Sequence, residues 1–292
     1  ALCSRAEGEK IPVVQPEKLS LYRLGLKSFF EEGRALAQIS NAAVVRVLNF
    51  FRENETVYMV MNLLEGASLQ DFVMTARSRK KQRVFHEATI YSLFDEILTG
   101  LRVVHQHRML HLDIKPANIF ITNDDRAVLI DFGAAREVIN HEINFLRPMY
   151  TPGFAAPEMY RRKGDLGPWT DIYAIGACIF VCMLGYPPNA APQRLERDRL
   201  SLALSKMRKV YSDHLIEMVE WCMALNPLAR PQSVHALVKE MESDLARNDP
   251  DAPLTQRIKG HLDSVLGDLA APDQAGRKSG GLSRLLLPGS RP

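Results

Sequence analysis

The stretch His111-Leu112-Asp113-Ile114-Lys115-Pro116-Ala117-Asn118 decides how this chain is read. Downstream stand Asp131-Phe132-Gly133 and then Ala156-Pro157-Glu158. Taken singly, each segment is commonplace. An aspartate beside a lysine is usually a solvated surface pair, and three-residue motifs recur by chance. Their order and spacing carry the information. Two short β-rich runs, 119–122 and 127–130, enclose the polar turn Asn123-Asp124-Asp125-Arg126 between the first two segments. From Asp131 to Glu158 no period is visible, which predicts a long ordered loop, and such loops in compact domains are usually functional.

Working outward, residues 86–105 read as a long helix, and a charged helical stretch starts at Ser68. The runs 44–51 and 56–61 read as strands joined by a hairpin at Arg52-Glu53-Asn54-Glu55. Residues 16–39 read as a helix, because Leu21, Leu24, Phe29, Phe30, Leu36 and Ile39 recur at helical spacing. Downstream, helices are expected over 171–184, 195–210, 214–224 and 233–246, the last with Ser233 as its N-cap. From Asp251 the composition turns to that of a flexible linker, within which 255–269 could form a short amphipathic helix. The fold class is therefore α+β and bilobal: a small β-rich lobe, a large mainly helical lobe, and a ligand-sized crevice between them.

Composition excludes several classes. With 292 residues, 46% hydrophobic and 24% charged, the chain suits one large soluble domain or two joined lobes. A net charge of +3 argues against nucleic acid or an anionic membrane as the main partner. The apolar run 172–186 falls short of the roughly 20 residues of a membrane span, so a buried helix is expected there. Cys3, Cys178, Cys182 and Cys222 show neither metal-ligand nor disulfide spacing, which suits a reducing cytoplasm. His105 and His107 read as helix-end residues.

Moving the terminal phosphoryl group of a nucleotide requires a carboxylate to orient the attacking hydroxyl and take its proton. It also requires a cation on the transferred group, and oxygen ligands for a hard metal ion. Asp113, Lys115 and the pair Asn118 and Asp131 provide these in turn. With Ala156-Pro157-Glu158, Trp169-Thr170-Asp171-Ile172-Tyr173-Ala174-Ile175-Gly176 and Leu228-Ala229-Arg230-Pro231, the set resembles the protein kinases over about residues 19–246.

The resemblance implies a serine/threonine protein kinase, similar to bacterial examples, that uses ATP and Mg²⁺ on Ser or Thr hydroxyls of a protein substrate. It makes Asp113 the catalytic base and places Lys115 on the γ-phosphate. Asn118 and Asp131 become metal ligands, Glu158 and Arg230 a structural ion pair, and Asp171 a brace for the catalytic loop. Thr151 would bridge Asp113 and Lys115. Glu32 falls where the family's helical glutamate stands, and Met61 at the gatekeeper position. The backbone of Asn62 and Leu64 would meet adenine, and Phe120 would form the floor beneath it. Residues 1–64 are then the remainder of the small lobe with the hinge, 65–250 the large lobe, and 251–292 a tail or linker.

Two departures qualify the resemblance. No glycine-rich loop or Val-Ala-x-Lys precedes Glu32, and the chain opens Ala-Leu-Cys without a methionine. The first strands are therefore expected upstream of Ala1. Without their charge-assisted contacts the barrier would rise by about 4–6 kcal/mol, on the order of 10³–10⁴ in rate. A catalytically impaired scaffold that serves as a binding module is the alternative reading. The second departure is Leu112, where regulated relatives carry an arginine that clamps a phosphorylated loop; leucine has no such capacity.

Overall fold

A computed structural model describes residues 3–4, 8, 10–78, 85–132, 136–137, 150–161 and 164–248. The side chain of Glu32, the backbone of Gly133 and the expected tail 251–292 lie outside the described residues.

The chain opens with a two-residue antiparallel pair, β1 (Cys3–Ser4) with β2 (Val13–Val14). A 3₁₀ turn, Pro16–Lys18, leads into α1 (Leu19–Leu36), its proline preset for the helical φ. β3 (Val47–Glu53) and β4 (Thr56–Met61) then form the expected hairpin. Its turn residues Asn54 and Glu55 both take positive φ, 49° and 54°, the twist that a two-residue hairpin loop needs. Helix α1 covers one face of this hairpin: the Phe30 ring meets Phe50 edge-on at 4.9 Å, and Gly33 lies under Met59, where a Cβ would come within 2.9 Å of its Cε.

After the link 62–65 come β5 (Gly66–Ser68) and α2 (Leu69–Ser78). Ser68 and Asp71 cap α2 reciprocally: Ser68 Oγ accepts from Asp71 N, and Asp71 Oδ2 accepts from Ser68 N. Helix α3 (Glu87–Gln106) runs through the large lobe to β6 (Met109–Leu110). Strands β7 (Ile119–Thr122) and β8 (Ala127–Leu129) join β5 in an antiparallel sheet of order β5-β7-β8, and β9 (Arg136–Glu137) pairs with β6. The two-residue strands were not legible in the sequence, because two residues carry no alternation.

Helix α4 (Pro168–Leu184) is the axis of the large lobe, buried from Thr170 to Met183. That explains why it carries no charged residue after Asp171: a helix apolar on every side belongs in a core or a membrane, and no helix among the described residues is long and apolar enough to cross one. Gly185 ends it in the left-handed conformation, φ 79°, its N–H on Val181 O. Where one helix was expected over 195–210, there are two, α5 (Ala191–Glu196) and α6 (Leu200–Ser205). The break comes from Asp198, which binds Arg194 with one oxygen and accepts from Arg194 Nε and Leu200 N with the other, while Arg197 is extended. Helices α7 (Asp213–Cys222), capped by Ser212, and α8 (Val234–Asn248) complete the lobe.

The ion pair that ties this lobe together lies under α4. Arg230 is 2% exposed and meets Glu158, 3% exposed, through two parallel bonds of 2.8 and 3.0 Å. Its remaining donors reach the carbonyls of Trp169, Ala224 and Leu225, and Thr170 Oγ1 donates to Glu158. Breaking such a pair leaves an uncompensated buried charge at a cost of about 3–5 kcal/mol. Arg230→Met should lose stability on that scale in a urea melt; a loss under about 1 kcal/mol would contradict the role given to this pair.

Candidate active site

The loop between β6 and β7 is shaped by one buried carboxylate. Asp171, on the first turn of α4, accepts from the backbone N–H of His111 at 2.9 Å and of Leu112 at 2.8 Å. His105 Nε2 lies 2.8 Å from its Oδ2. Burial alone would raise the Asp171 pKa. The bond from His105, with that from the His111 N–H, outweighs it and holds the carboxyl below the usual range. These bonds hold Leu112 at φ 62°, a conformation that costs a bulky L-residue on the order of 1–3 kcal/mol. His105 ends α3 as expected. Nothing local in the sequence signals that it also reaches Asp171, because its partner lies on a different helix.

The His111 ring is fully buried. Desolvation lowers its pKa, so it stays neutral against the pull of Asp171 and Asp113. Its Nδ1 accepts from Asp113 N at 3.4 Å, which leaves Nε2 to donate to Ile130 O at 3.3 Å. The ring packs at 4.4 Å on Phe132. The segment entering Asp131 is thereby docked on the loop, and Ile130 N–H also donates to Asn118 O at 3.0 Å. Asp131 is exposed and takes φ 60°.

Between these anchors the Asp113 carboxylate is held by three donors. Thr151 Oγ1 donates to Oδ1 at 2.9 Å; Lys115 Nζ and Asn118 Nδ2 donate to Oδ2 at 2.6 and 3.1 Å. Lys115 also donates to Thr151 Oγ1 at 3.3 Å, and Asn118 Nδ2 to Asp113 O at 2.9 Å. A carboxylate offers roughly four lone-pair positions, so one on Oδ1 is left for a further donor. Thr151 belongs to a segment whose Tyr150 ring lies 4.4 Å from Tyr160, and Phe154 and Met159 line a small cavity with Leu112. Leu112 thus faces the segment across this cavity with an apolar side chain.

Residues 10–241 match the family model described as the protein kinase domain. The chain belongs to the protein kinase family. It is 30% identical over 203 residues to the serine/threonine-protein kinase D1044.8 of Caenorhabditis elegans, covering 66% of this chain and 20% of that protein. It is 27% identical over 254 residues to the serine/threonine-protein kinase PknL of Mycobacterium tuberculosis, covering 82% and 61%. With the human serine/threonine-protein kinase Nek2 it shares 26% over 268 residues, covering 88% and 57%. The chain thus spans less than two thirds of each of these relatives. Among solved structures it is similar to "PpkA-294 apo form", with a TM-score of 0.67 and 31% identity, covering 82% of this chain and 83% of that one. The bilobal α+β protein kinase fold is established.

Within that fold the structure brings Asp113, Lys115, Asn118 and Thr151 into direct contact and sets Asp131 beside them through Ile130. Met61 ends β4, paired with Val47 and 41% exposed, and Asn62 N–H is bonded to Arg46 O. Leu64 is half-buried against the core. Phe120, on β7, pairs with Ser68 at the far end of the strand that follows the 62–65 link. Glu32 is on α1, with its side chain outside the described residues.

Proposed function

We propose that this chain is the catalytic part of a serine/threonine protein kinase that moves the γ-phosphoryl group of ATP to Ser or Thr hydroxyls of a protein substrate. The observation that carries the reading is the Asp113 carboxylate, fixed in plane by Thr151, Lys115 and Asn118 with one acceptor position left on Oδ1. An incoming hydroxyl donating there is oriented for attack and gives up its proton to Asp113. Lys115, a point charge on a flexible stem bonded to both Asp113 and Thr151, is placed to follow the transferred group. The choice of Ser and Thr rests on Lys115 and Thr151 and on the names of the relatives.

The donor set fits Mg²⁺. Asn118 turns its amide nitrogen to Asp113, which leaves its Oδ1 free of that bond, and Asp131 follows Ile130, whose N–H donates to Asn118 O. Among the described residues no cluster of three or more His, Cys, Asp or Glu is placed to hold a metal. A hard ion carried by phosphates needs only such a sparse set of protein oxygens. When bound, Mg²⁺ would neutralise phosphate charge. Asn62 C=O and the backbone of Leu64 would take adenine beside Met61 and over Phe120, and Glu32 would hold the ATP-anchoring lysine. Residues 1–64 serve as small lobe and hinge, 65–250 as large lobe, and 251–292 as a linker. A reducing cytoplasm suits the buried free thiols of Cys178, Cys182 and Cys222.

In the full-length gene product, Asp113→Asn and Asp131→Asn should each lower phosphotransfer to a generic protein acceptor by about 10²–10⁴. Melting should be little changed, since neither carboxylate is in the packed core and asparagine accepts the left-handed φ of position 131. Radiolabel transfer from ATP measures it, and near wild-type turnover in either variant would overturn the assignment.

Regulation follows from Leu112. It faces the Thr151 segment with an apolar side chain that cannot bind a phosphate, so activity should not require a phosphate between Asp131 and Glu158. Phosphatase treatment with mass-spectrometric site mapping should leave turnover within about twofold of the untreated enzyme. A larger fall tied to a phosphosite in that segment would contradict this.

A further inference from the structure

Charge is spread unevenly over the large lobe. Between residues 191 and 210 there are six basic and two acidic side chains, an excess of four, whereas the whole chain carries +3. The remainder is therefore close to neutral. One of the two acids is already spent. Arg194, 3% exposed, sends its Nε and Nη2 to Asp198, and its Nη1 to Tyr173 Oη and Met223 O. Asp198 also accepts from Leu200 N, and Leu200 is buried.

This network makes the corner 197–199 rigid and neutralises the aspartate that separates its two arginines. Arg197 and Arg199 are exposed on either side of it, with no carboxylate partner among the described residues. Leu195 and Leu202, 54% and 61% exposed, flank them, and exposed Lys206 and Lys209 extend the positive charge. Two guanidinium forks carried on this braced backbone, between exposed leucines, match carboxylates in bidentate fashion where lysines act as point charges.

The corner is also joined to the substrate side of the site. Gly153, two residues past Thr151, lies so close to the loop before α5 that a Cβ on it would come within 2.9 Å of Pro188 O. Helix α5 starts three residues further on and packs against the Pro157–Tyr160 turn. At about 1.5 Å per helical residue and at most about 3.5 Å per extended one, Arg197 is within about 25 Å of Gly153. An extended peptide of seven or eight residues covers that distance.

We propose that Leu195, Arg197, Arg199 and Leu202 form a docking surface for an acidic segment of the protein substrate, several residues from the Ser or Thr that enters the site. This rests on the protein-kinase reading of Asp113. Its continuity with the Thr151 segment and its exposed leucines favour a peptide over a nucleic acid or a lipid surface, which would need charge alone.

The test uses the chain as it is and reads binding apart from turnover. Fluorescence anisotropy at 50 mM KCl compares three labelled serine peptides: one bearing a run of glutamates and a leucine, the same with glutamines, and the same with lysines. The glutamate peptide should bind best. Its affinity should fall about tenfold in R197E/R199E and with 300 mM KCl, and should be unchanged in R23E/K239E, which has the same net charge. Unchanged melting of R197E/R199E excludes unfolding as the cause. Equal binding of the glutamate and glutamine peptides, or equal loss in both double variants, would overturn the proposal. So would a DNA oligonucleotide or phosphatidylserine vesicles that bind as tightly through the same arginines. Arginine-dependent binding of the acidic peptide, with no phosphate transfer to any of the three by the full-length gene product, would uphold the docking surface and count against the kinase reading.

Discussion

Two backbone N–H groups and one imidazole converge on the carboxylate of Asp171, and the geometry of the site depends on that convergence. A buried carboxylate is expensive unless its lone pairs are filled. Here three of them are filled, by His111 N, Leu112 N and His105 Nε2. The same bonds that make the charge tolerable hold Leu112 in a left-handed conformation that its side chain resists. Asp113, the next residue, owes its position to that turn. Because Asp171 stands on a helix buried on all sides, the loop is referenced to the most rigid element of the large lobe.

The approach to Asp131 is secured separately. Val45 N–H donates to Leu129 O, and Leu129 N–H to Ala43 O, which joins the link between α1 and β3 to the strand preceding Asp131. On the other side of that link α3 comes so near that a Cβ on Gly100 would approach Ala43 O to 2.8 Å. Only glycine permits this contact without a backbone shift. The small lobe is therefore tied to the large one at 43–45 as well as through 62–65, and the carboxylate at 131 is set from both sides.

Much of this was legible because it is local. The strands around the 123–126 turn, the β3–β4 hairpin, the long helices and the buried run of α4 follow from periodicity and turn chemistry. The order of the short motifs identified the loop. What escaped the sequence was tertiary. His105 looked like a helix end because nothing local announces that its ring reaches Asp171, 66 residues away. The region 195–210 has helical spacing throughout, yet Asp198 turns to Arg194, which is held in turn by Tyr173 and Met223, and the helix breaks. Strands of two residues exist only through their partners.

The account's central claim is that Asp113, Lys115, Asn118 and Asp131 form one phosphoryl-transfer site. A crystal structure of the full-length gene product with Mg²⁺ and a non-hydrolysable ATP analogue tests it most directly. The account predicts a metal about 2.0–2.1 Å from Asn118 Oδ1 and from an Asp131 oxygen, with Lys115 Nζ drawn from Asp113 to the terminal phosphate. Nucleotide bound elsewhere, or ordered in the crevice with no metal on those two oxygens, would contradict it.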